Sequence, residues 1–252
     1  MLGLYHHLAF ENSLFNYEEL PMKSTKIKNL PVETVNTLLS QIPFFKDLMI
    51  EDNEQFQLLL KYSSIIELDP AEVIVTKGEF DKTFYFLLKG SLDVFAEEIR
   101  SHKAIGSLSE GQVFGALSII NEQPRTATLA APGNENTTVF STDFSIFGEL
   151  EDFSQVKLKT KSSLLRIVIN NTRWKLEINR MNEPEHPLAS KLDKLEKFSG
   201  LQNTEGELQF LAEQAFLLGQ LLDDWNLQTT ANIKVVAPPA AKSGFLSKLF
   251  GK

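Results

Sequence analysis

The chain contains no cysteine, which excludes a disulfide framework and any zinc site built from thiolates. This composition fits a reducing compartment, so the expected location is the cytoplasm. Long apolar runs are also missing, since no stretch reaches the ~20 residues that a membrane-spanning helix needs. The opening "MLGLYHHLAF" lacks the basic start and sustained apolar core of a secretion signal. The sequence therefore predicts neither export nor stable membrane anchoring.

Basic charge is scarce. The chain has 25 Lys and Arg against 33 Asp and Glu, a formal net charge of -8, and no long basic cluster. A protein that binds phosphate backbones needs a concentrated patch of Lys and Arg. Duplex DNA is therefore not an expected partner.

Catalytic and metal-binding motifs are absent as well. The sequence has no phosphate-binding loop ending in Lys-Ser/Thr, no nucleophile elbow and no kinase signature set. His6 and His7 are adjacent and lack the i, i+4 spacing of a helical metal pair, while His102 and His186 fall in predicted loops. We expect no metal, no cofactor and no enzymatic activity.

The pattern that is present runs from helix to strands to helix. Apolar spacing predicts a helix over 31–45 and a second, short helix in "EDNEQFQLLLKYS". Then follow the strand-like segments "SIIELD", "EVIVTK", "TFYFLLKG", "SLDVFAEE", "KAIGSL" and "TATLAA", separated by turn glycines. The expected fold is α+β: an antiparallel β-roll (a double-stranded β-helix, jelly-roll-like) flanked by helices, with a helical C-terminal extension. Its core candidates are Phe84, Phe86, Leu88, Leu92 and Val94.

Two helical segments after the strands are candidates for contact with a partner. A long amphipathic helix is predicted over 164–181, and Trp174 and Ile178 are its expected anchors. A seam with alternating steps of three and four residues follows the linker "EPEHPLAS". Its members are Leu208, Leu211, Ala215, Leu218, Leu222 and Trp225. Both sets could form a dimer or partner interface, or could pack within one chain.

The ends of the chain leave alternatives open. Glu18 and Glu19 must be encoded by a purine-rich string resembling a bacterial ribosome-binding site, which would make Met22 the start. The other possibility is a true extension that packs on the domain. The expected segments are 1–30 as N-terminal extension, 31–182 as the main domain, 183–230 as helical extension, and 231–252 as linker and basic-apolar tail. That tail could dock on a partner or lipid, or remain a solubilising end.

The stretch "GQVFGALSIINEQPRTATLAA", residues 111–131, has the features of an anion site. Gly115 allows backbone N–H groups to approach an anion closely, and a short helix beginning near Ala116 would point its free donors the same way. The planar guanidinium of Arg125 can bind two phosphate oxygens at once.

This stretch, together with "IPFF" and "VIVTKGEFDKTFYFLLKGSLDVF", occurs in an order and spacing that resemble a known family. Over 38–182 the chain resembles the cyclic-nucleotide-binding domain shared by the catabolite activator protein and the regulatory subunits of cAMP-dependent protein kinase. The resemblance implies a ligand-binding set of Gly115, Ala116, Leu117, Ser118, Arg125 and Thr126. In that set Arg125 would hold the cyclic phosphate and Thr126 would contact phosphate or base.

Ala116 departs from the family pattern, which has Glu after "FG" to accept a hydrogen bond from the ribose 2'-hydroxyl. A hydrogen bond to a charged group contributes ~1.5 to 3 kcal/mol, so its loss should weaken binding roughly tenfold to more than a hundredfold. Three possibilities follow: weak binding of cAMP or cGMP, a changed ligand, or a purely structural role for the cassette, the stretch over 114–131 that resembles the family's phosphate-binding cassette.

The sequence lacks the basic helix-turn-helix domain that follows the roll in the family's transcription factors, because the residues after 182 form acidic helices. The expected protein is a cytoplasmic, bacterial, non-enzymatic regulator that senses cAMP or cGMP and acts on a protein partner or as a homodimer. The alternative is a ligand-independent interaction scaffold.

Overall fold

Two antiparallel sheets form the centre of the fold. The structure, a computed structural model, describes residues 23–96 and 104–236. The strands are β1 (Lys23–Lys26), β2 (Ser63–Leu68), β3 (Val73–Val75), β4 (Thr83–Lys89), β5 (Leu92–Phe95), β6 (Gly106–Leu108), β7 (Val113–Phe114), β8 (Thr128–Ala130) and β9 (Thr137–Asp143). The helices are α1 (Val32–Leu39), α2 (Pro43–Glu51), α3 (Asn53–Lys61), α4 (Ala116–Ile120), α5 (Leu158–Asn182), α6 (Ala189–Asp193) and α7 (Glu205–Val236).

The strand order confirms the expected α+β class and β-roll. One sheet has the order β1-β2-β9-β4-β7 and the other β3-β8-β5-β6, and each strand pair is antiparallel. Strand β9, which the sequence pattern did not indicate, lies between β2 and β4. Its buried Thr and Ser are polar, so they hide the apolar alternation that marks a strand in a sequence. Their hydroxyls bond inside the sheet, as in the 2.7 Å contact between Thr142 Oγ1 and Ser63 Oγ.

Strand β4 is buried on both of its faces. Phe84, Phe86 and Leu88 belong to the core formed with α1, α2, α3 and α5. The residues between them, Tyr85 and Leu87, belong to the core between the two sheets. The predicted core residues are therefore buried, with Val94 only partly so, and the roll has a helix-covered face that simple alternation did not reveal.

The single helix predicted over 31–45 is two helices. α1 ends at Leu39, and α2 begins at Pro43. Proline has no N–H to donate and fits the first position of a helix, so it starts a new helix more readily than it continues an old one. Asp52 then accepts a hydrogen bond from the Gln55 N–H at the start of α3, the second helix expected here.

Helix α7 packs along α5 within the same chain. The apolar seam of α7 joins α5 and α6 residues in one core, whose α7 members include Leu208, Leu211, Ala215, Leu218 and Trp225. An ion pair of 2.6 Å between Arg166 Nη2 and Glu207 Oε2 ties the beginning of α7 to α5. In the described ranges, no helix has both the length and the apolar content needed to cross a membrane.

Both ends of the described chain differ from the expected segments. β1 lies inside the expected N-terminal extension and pairs with β2. At the other end α7 continues to Val236, because no Pro interrupts it before Pro238. The possible start at Met22, the residues His6, His7 and His102, and the tail over 237–252 lie outside the described residues.

Gly90 generates a prediction about the turn between β4 and β5. Its φ is +83°, and an added Cβ would lie 2.9 Å from the carbonyl oxygen of Asn136. We expect Gly90→Ala to lower the free energy of unfolding by about 2 kcal/mol, since strain and a backbone clash combine. Gly106→Ala is the control, because the space around Gly106 is open. Urea denaturation of both variants checks this, and equal stabilities would contradict it.

Candidate functional site

A cavity of about 420 Å³ lies between the roll and the two long helices. The sheets contribute apolar side chains, among them Val75, Leu108, Phe114 and Leu129. All six residues of the predicted ligand-binding set line it: Gly115, Ala116, Leu117, Ser118, Arg125 and Thr126. Helices α5 and α7 form the opposite wall. Pockets for small molecules commonly have this size and this mixture of apolar walls with a few polar groups.

The predicted short helix after Gly115 is present as α4. Gly115 has φ +81°, in the left-handed region, and begins the helix. An added Cβ would meet Arg125 Nη1 at 2.9 Å and the carbonyl oxygen of Thr83 at 3.1 Å. Both the backbone conformation and the packing therefore require glycine at this position.

Arg125 is 4% exposed, and its side chain is bonded entirely to the protein. Nε donates to Asp81 Oδ2 at 2.9 Å and Nη2 to Asp81 Oδ1 at 2.5 Å. Nη1 donates to Ser118 Oγ at 2.7 Å and also to the Gly115 carbonyl, while Nη2 donates to the Thr83 carbonyl. A guanidinium has five N–H donors, and each has a partner. To bind a phosphate, this group would have to release some of them.

Asp81 is the anion that balances Arg125. Burial raises the pKa of its carboxyl, but hydrogen bonds from Arg125 and Thr83 outweigh burial and hold the pKa below its usual value. The Thr83 N–H donates to Asp81 Oδ1 at 2.6 Å. The carboxylate is therefore ionised near neutral pH, and the pair is neutral as a whole.

Lys175 lines the cavity from α5. Its side chain is half-buried. Burial is the cause that lowers its pKa to about 8, and no acidic group among the described residues forms an ion pair with it. Sequence reasoning did not select Lys175, although its spacing from Val168 and Thr172 places it on the buried face of α5.

Helix α7 reaches the cavity with Leu222, Asp223 and Asn226. Burial raises the pKa of Asp223, and a side-chain hydrogen bond with Thr126 partly offsets this effect. The sequence placed Leu222 in the apolar seam but did not predict that the adjacent residues would contact the cassette. No local sequence pattern can predict a contact between residues almost a hundred positions apart, such as Thr126 and Asp223.

Comparison with known proteins bears on the same region. Residues 65–155 match the family model of the cyclic nucleotide-binding domain. The match includes the cassette residues Gly115 to Thr126. The cassette wall of the cavity therefore lies within the matched residues, whereas α5 begins beyond them and α7 follows it.

The curated relatives are regulatory subunits of cAMP-dependent protein kinase. That of Mucor circinelloides f. lusitanicus is 33% identical over 95 residues, 38% of this chain and 22% of the relative. That of Mycosarcoma maydis is 28% identical over 95 residues, 38% of this chain and 18% of the relative. The matched region spans about a fifth of these relatives' length, so the similarity is that of one domain.

Solved structures of similar proteins include the regulatory domain of Toxoplasma gondii PKA with cAMP, at 21% identity, covering 46% of this chain and 43% of that chain with a TM-score of 0.37. The regulatory subunit of a cAMP-independent protein kinase A from Trypanosoma brucei is 25% identical, covering 46% and 41% with a TM-score of 0.38.

Ala116 contributes no polar atom to the domain's cavity. It is 2% exposed and packs in the core that also contains Phe84 and Phe86. A larger, charged side chain at this position would have to enter the cavity or disturb that core. The small side chain of Ala116 therefore has a packing role, and it also lacks the carboxylate that the family pattern has at this position.

The predicted interface residues divide into two groups. Leu208, Leu211, Leu218 and Trp225 are 0–6% exposed, and Leu222 is partly buried, all in the core between α5 and α7. The seam therefore packs within the chain, which sequence analysis had left as an alternative. Trp174 and Ile178 are 59% and 39% exposed, and Met181 on the same helix is 78% exposed. An interface through Trp174 and Ile178 stays a prediction.

Arg125→Lys tests the structural role of the guanidinium. A lysine cannot reproduce the bidentate bond to Asp81 or hold both carbonyls, so we expect a loss of about 2 kcal/mol of unfolding free energy at pH 7. Because the pKa of Asp81 is lowered in the fold, its stabilising pair exists above about pH 4 and is lost as the carboxyl is protonated. The difference from wild type should therefore shrink towards pH 3. If the difference in unfolding free energy between wild type and Arg125→Lys is the same at pH 7 and pH 3, the ion pair is not the cause of that difference.

Lys175→Met should stabilise the protein. Its lowered pKa means that the unfolded chain binds more protons than the folded chain between pH 8 and 10.5. Below that window the full cost of burying the charge is present, so the variant should gain about 2 kcal/mol at pH 7, and less as pH rises to 10. Denaturation at both pH values checks this against Lys46→Met, which alters an exposed lysine of α2. Destabilisation by Lys175→Met would contradict the assignment of an unpaired cation.

Proposed function

We propose that this chain is a non-enzymatic regulatory protein that binds cAMP or cGMP weakly in the cavity and transmits binding through α5 and α7 to a protein partner. One observation carries the proposal: the cavity of the cyclic nucleotide-binding domain has the cassette on one wall and the two long helices on the other. A ligand in it contacts both walls, so its binding depends on where the helices lie.

Contacts between α7 and the cassette provide a route for that dependence. Gly219 lies so near the cassette that an added Cβ would be 2.5 Å from Asn121 Nδ2, and Asp223 bonds to Thr126. A ligand shifts a conformational equilibrium by its difference in affinity for the two states. A nucleotide with a higher affinity for one position of α7 would therefore increase the population of chains with α7 in that position.

Weak affinity follows from the two residues at the centre of the predicted ligand set. Arg125 can contact the phosphate only by giving up Ser118 or a carbonyl, and Ala116 offers no acceptor. Each lost charge-assisted contact weakens binding roughly tenfold to a hundredfold.

The output surface in this proposal is the exposed apolar row Trp174, Ile178 and Met181 on α5. Its spacing of i, i+4 and i+7 places these residues on one helical face. A second copy of the chain or another protein would cover it. A cytoplasmic location, a bacterial origin and the absence of a DNA partner, expected from the sequence, belong to the same proposal.

A ligand-independent scaffold is the second candidate function. It is favoured by the satisfied hydrogen bonding of Arg125, since an anion site whose donors are all taken is stable without ligand. In that case the roll is a platform that holds α5 and α7.

Calorimetric titration with cAMP and cGMP separates the two. We expect heat at millimolar nucleotide with wild type, and a dissociation constant at least about tenfold weaker for Arg125→Lys, because the cassette wall loses its anchor. Arg180→Lys is the control, since Arg180 pairs with Glu177 and Asp193 on the surface. Ala116→Glu should bind the nucleotide more tightly while lowering the melting temperature without it. If wild type gives no heat with either nucleotide, the proposal of a nucleotide sensor is wrong and the scaffold function is favoured.

A further inference from the structure

The exposed apolar row of α5 faces away from the core that α5 forms with α7. Trp174, Ile178 and Met181 are 59%, 39% and 78% exposed, whereas Leu176, between the first two, is buried in that core. Apolar side chains that gather on one face of a surface helix are typical of a contact surface. The row therefore needs an occupant.

Helices α5 and α7 run side by side in the same direction. Arg166 Nε donates to Glu207 Oε1 at 2.9 Å. Two turns later, Arg173 Nη2 donates to Gln214 Oε1 at 2.7 Å. Because both pairs are 41 positions apart, the two helices keep the same register along their contact. By that register α7 continues about 20 Å beyond the last turn of α5 before it ends at Val236.

The tail, residues 237–252, has the sequence of a short amphipathic segment. It contains Lys242, Lys248 and Lys252 but no acidic residue, in a chain whose net charge is -8. Its large apolar residues have the spacing i, i+1, i+4 and i+5, which places them on one face of a helix. They are Phe245, Leu246, Leu249 and Phe250. So short a helix is not stable alone in water and needs a surface to form on.

The tail is long enough to return to the row. An extended chain spans ~3.3 Å per residue, so the residues over 237–245 cover up to about 30 Å. The return requires about 20 Å back along α7 and a step of ~10 Å to the neighbouring helix. Phe245 can therefore reach Met181 in the last turn of α5, with the rest of the tail running back towards Trp174.

The charges around the row suit a basic segment. Glu183 and Glu185 follow directly after the last turn of α5, where the tail would arrive, and both have solvent access. Arg180, a cation of the same turn, is already paired with Glu177 at 2.5 Å. The exposed ring of Trp174 also offers a face that attracts a lysine.

We propose that residues 245–250 of the tail cover the exposed apolar row of α5 in the same chain. Three exposed side chains offer much less than the ~800 Å² per partner that a stable complex buries, so this row alone would hold a second copy weakly. A segment tethered through 237–244 has an effective concentration on the order of millimolar, and a small contact then suffices. The inference goes beyond the proposed function, because no nucleotide takes part. It adds that a protein partner must displace the tail from the row.

Acrylamide quenching of tryptophan fluorescence in the full chain tests the contact. The second tryptophan, Trp225, is 1% exposed, so the quencher reports mainly on Trp174. Phe245→Ser combined with Phe250→Ser should raise the quenching and shift the emission to longer wavelength, because the row loses its cover. A synthetic peptide of residues 242–252 should reverse both changes at roughly millimolar concentration.

Variants of the row provide the matched comparison. Met181→Ser should raise the quenching of Trp174 as the tail variant does, and should add nothing when the two are combined, because both remove one contact. Phe216→Ser is the control, since Phe216 is an exposed apolar residue of α7 outside the row. It should keep the wild-type quenching.

Three results would overturn the proposal. The first is equal quenching in wild type and the tail variant. The second is shielding of Trp174 that grows with protein concentration while light scattering shows a dimer, which would make a second copy the occupant. The third is binding of wild type, but not of the tail variant, to phosphatidylcholine–phosphatidylserine vesicles with equal quenching in their absence, which would assign the tail to lipid. None of these measurements uses a nucleotide, so their result is independent of whether the cavity binds one.

Discussion

The buried ion pair between Arg125 and Asp81 is the interaction on which the shape of the cavity depends. A buried guanidinium must be paired and fully hydrogen-bonded, because a lone charge in the interior is too costly. Here the pairing joins the turn before β4 to the residues on either side of α4. The Arg125 backbone reinforces it, with its N–H donating to Glu79 O and its carbonyl accepting from Gly78 N–H, both at 2.8 Å. The cassette wall is therefore held together by contacts within the protein alone.

The opposite wall of the cavity, formed by α5 and α7, is held together by apolar packing. Seam residues of α7 are buried on both sides of the cavity-lining Leu222 and Asp223: Leu218 before them and Trp225 after them. Trp225 also stacks on the ring of His186, with centroids 4.1 Å apart. Exposing one large apolar side chain costs ~1.5 to 3 kcal/mol, so peeling α7 from α5 would exceed what one weak ligand supplies. In the proposed mechanism, a small movement of α5 and α7 together against the roll would therefore cost less than separating the two helices.

Local patterns in the sequence predicted the local features of the site. Gly115 before an apolar run indicated the turn and α4, and a strand-like period indicated most of the roll. The partners of Arg125 were beyond such reasoning, because Asp81 is 44 positions away. In a sequence, an arginine in an anion-site pattern suggests a ligand. It does so even when groups of the protein already accept all of its hydrogen bonds. β9 was missed for a related reason, since its Thr and Ser are polar in the sequence and only the neighbouring strands bury them.

The α7 seam illustrates the same limit for packing. Spacing by three and four residues specifies an apolar face, but not which surface covers it, and Leu208 and Leu211 are covered by α5 of the same chain. Lys175 is a different case: it stands three residues after Thr172 and seven after Val168, on the buried face of α5. The helical period therefore indicated its position, and only its charge led sequence analysis to pass over it.

The charges of the whole chain and of the cavity act at different ranges. A net charge of -8 disfavours the approach of an anionic ligand, but salt screens exposed charges beyond about 8 Å at physiological ionic strength. Inside the cavity, which the protein partly encloses, charges act more strongly than on the open surface. Because the charges of Arg125 and Asp81 cancel, the local field at the cavity depends on the other charged groups of its described lining, Lys175 and Asp223, which have opposite signs when ionised.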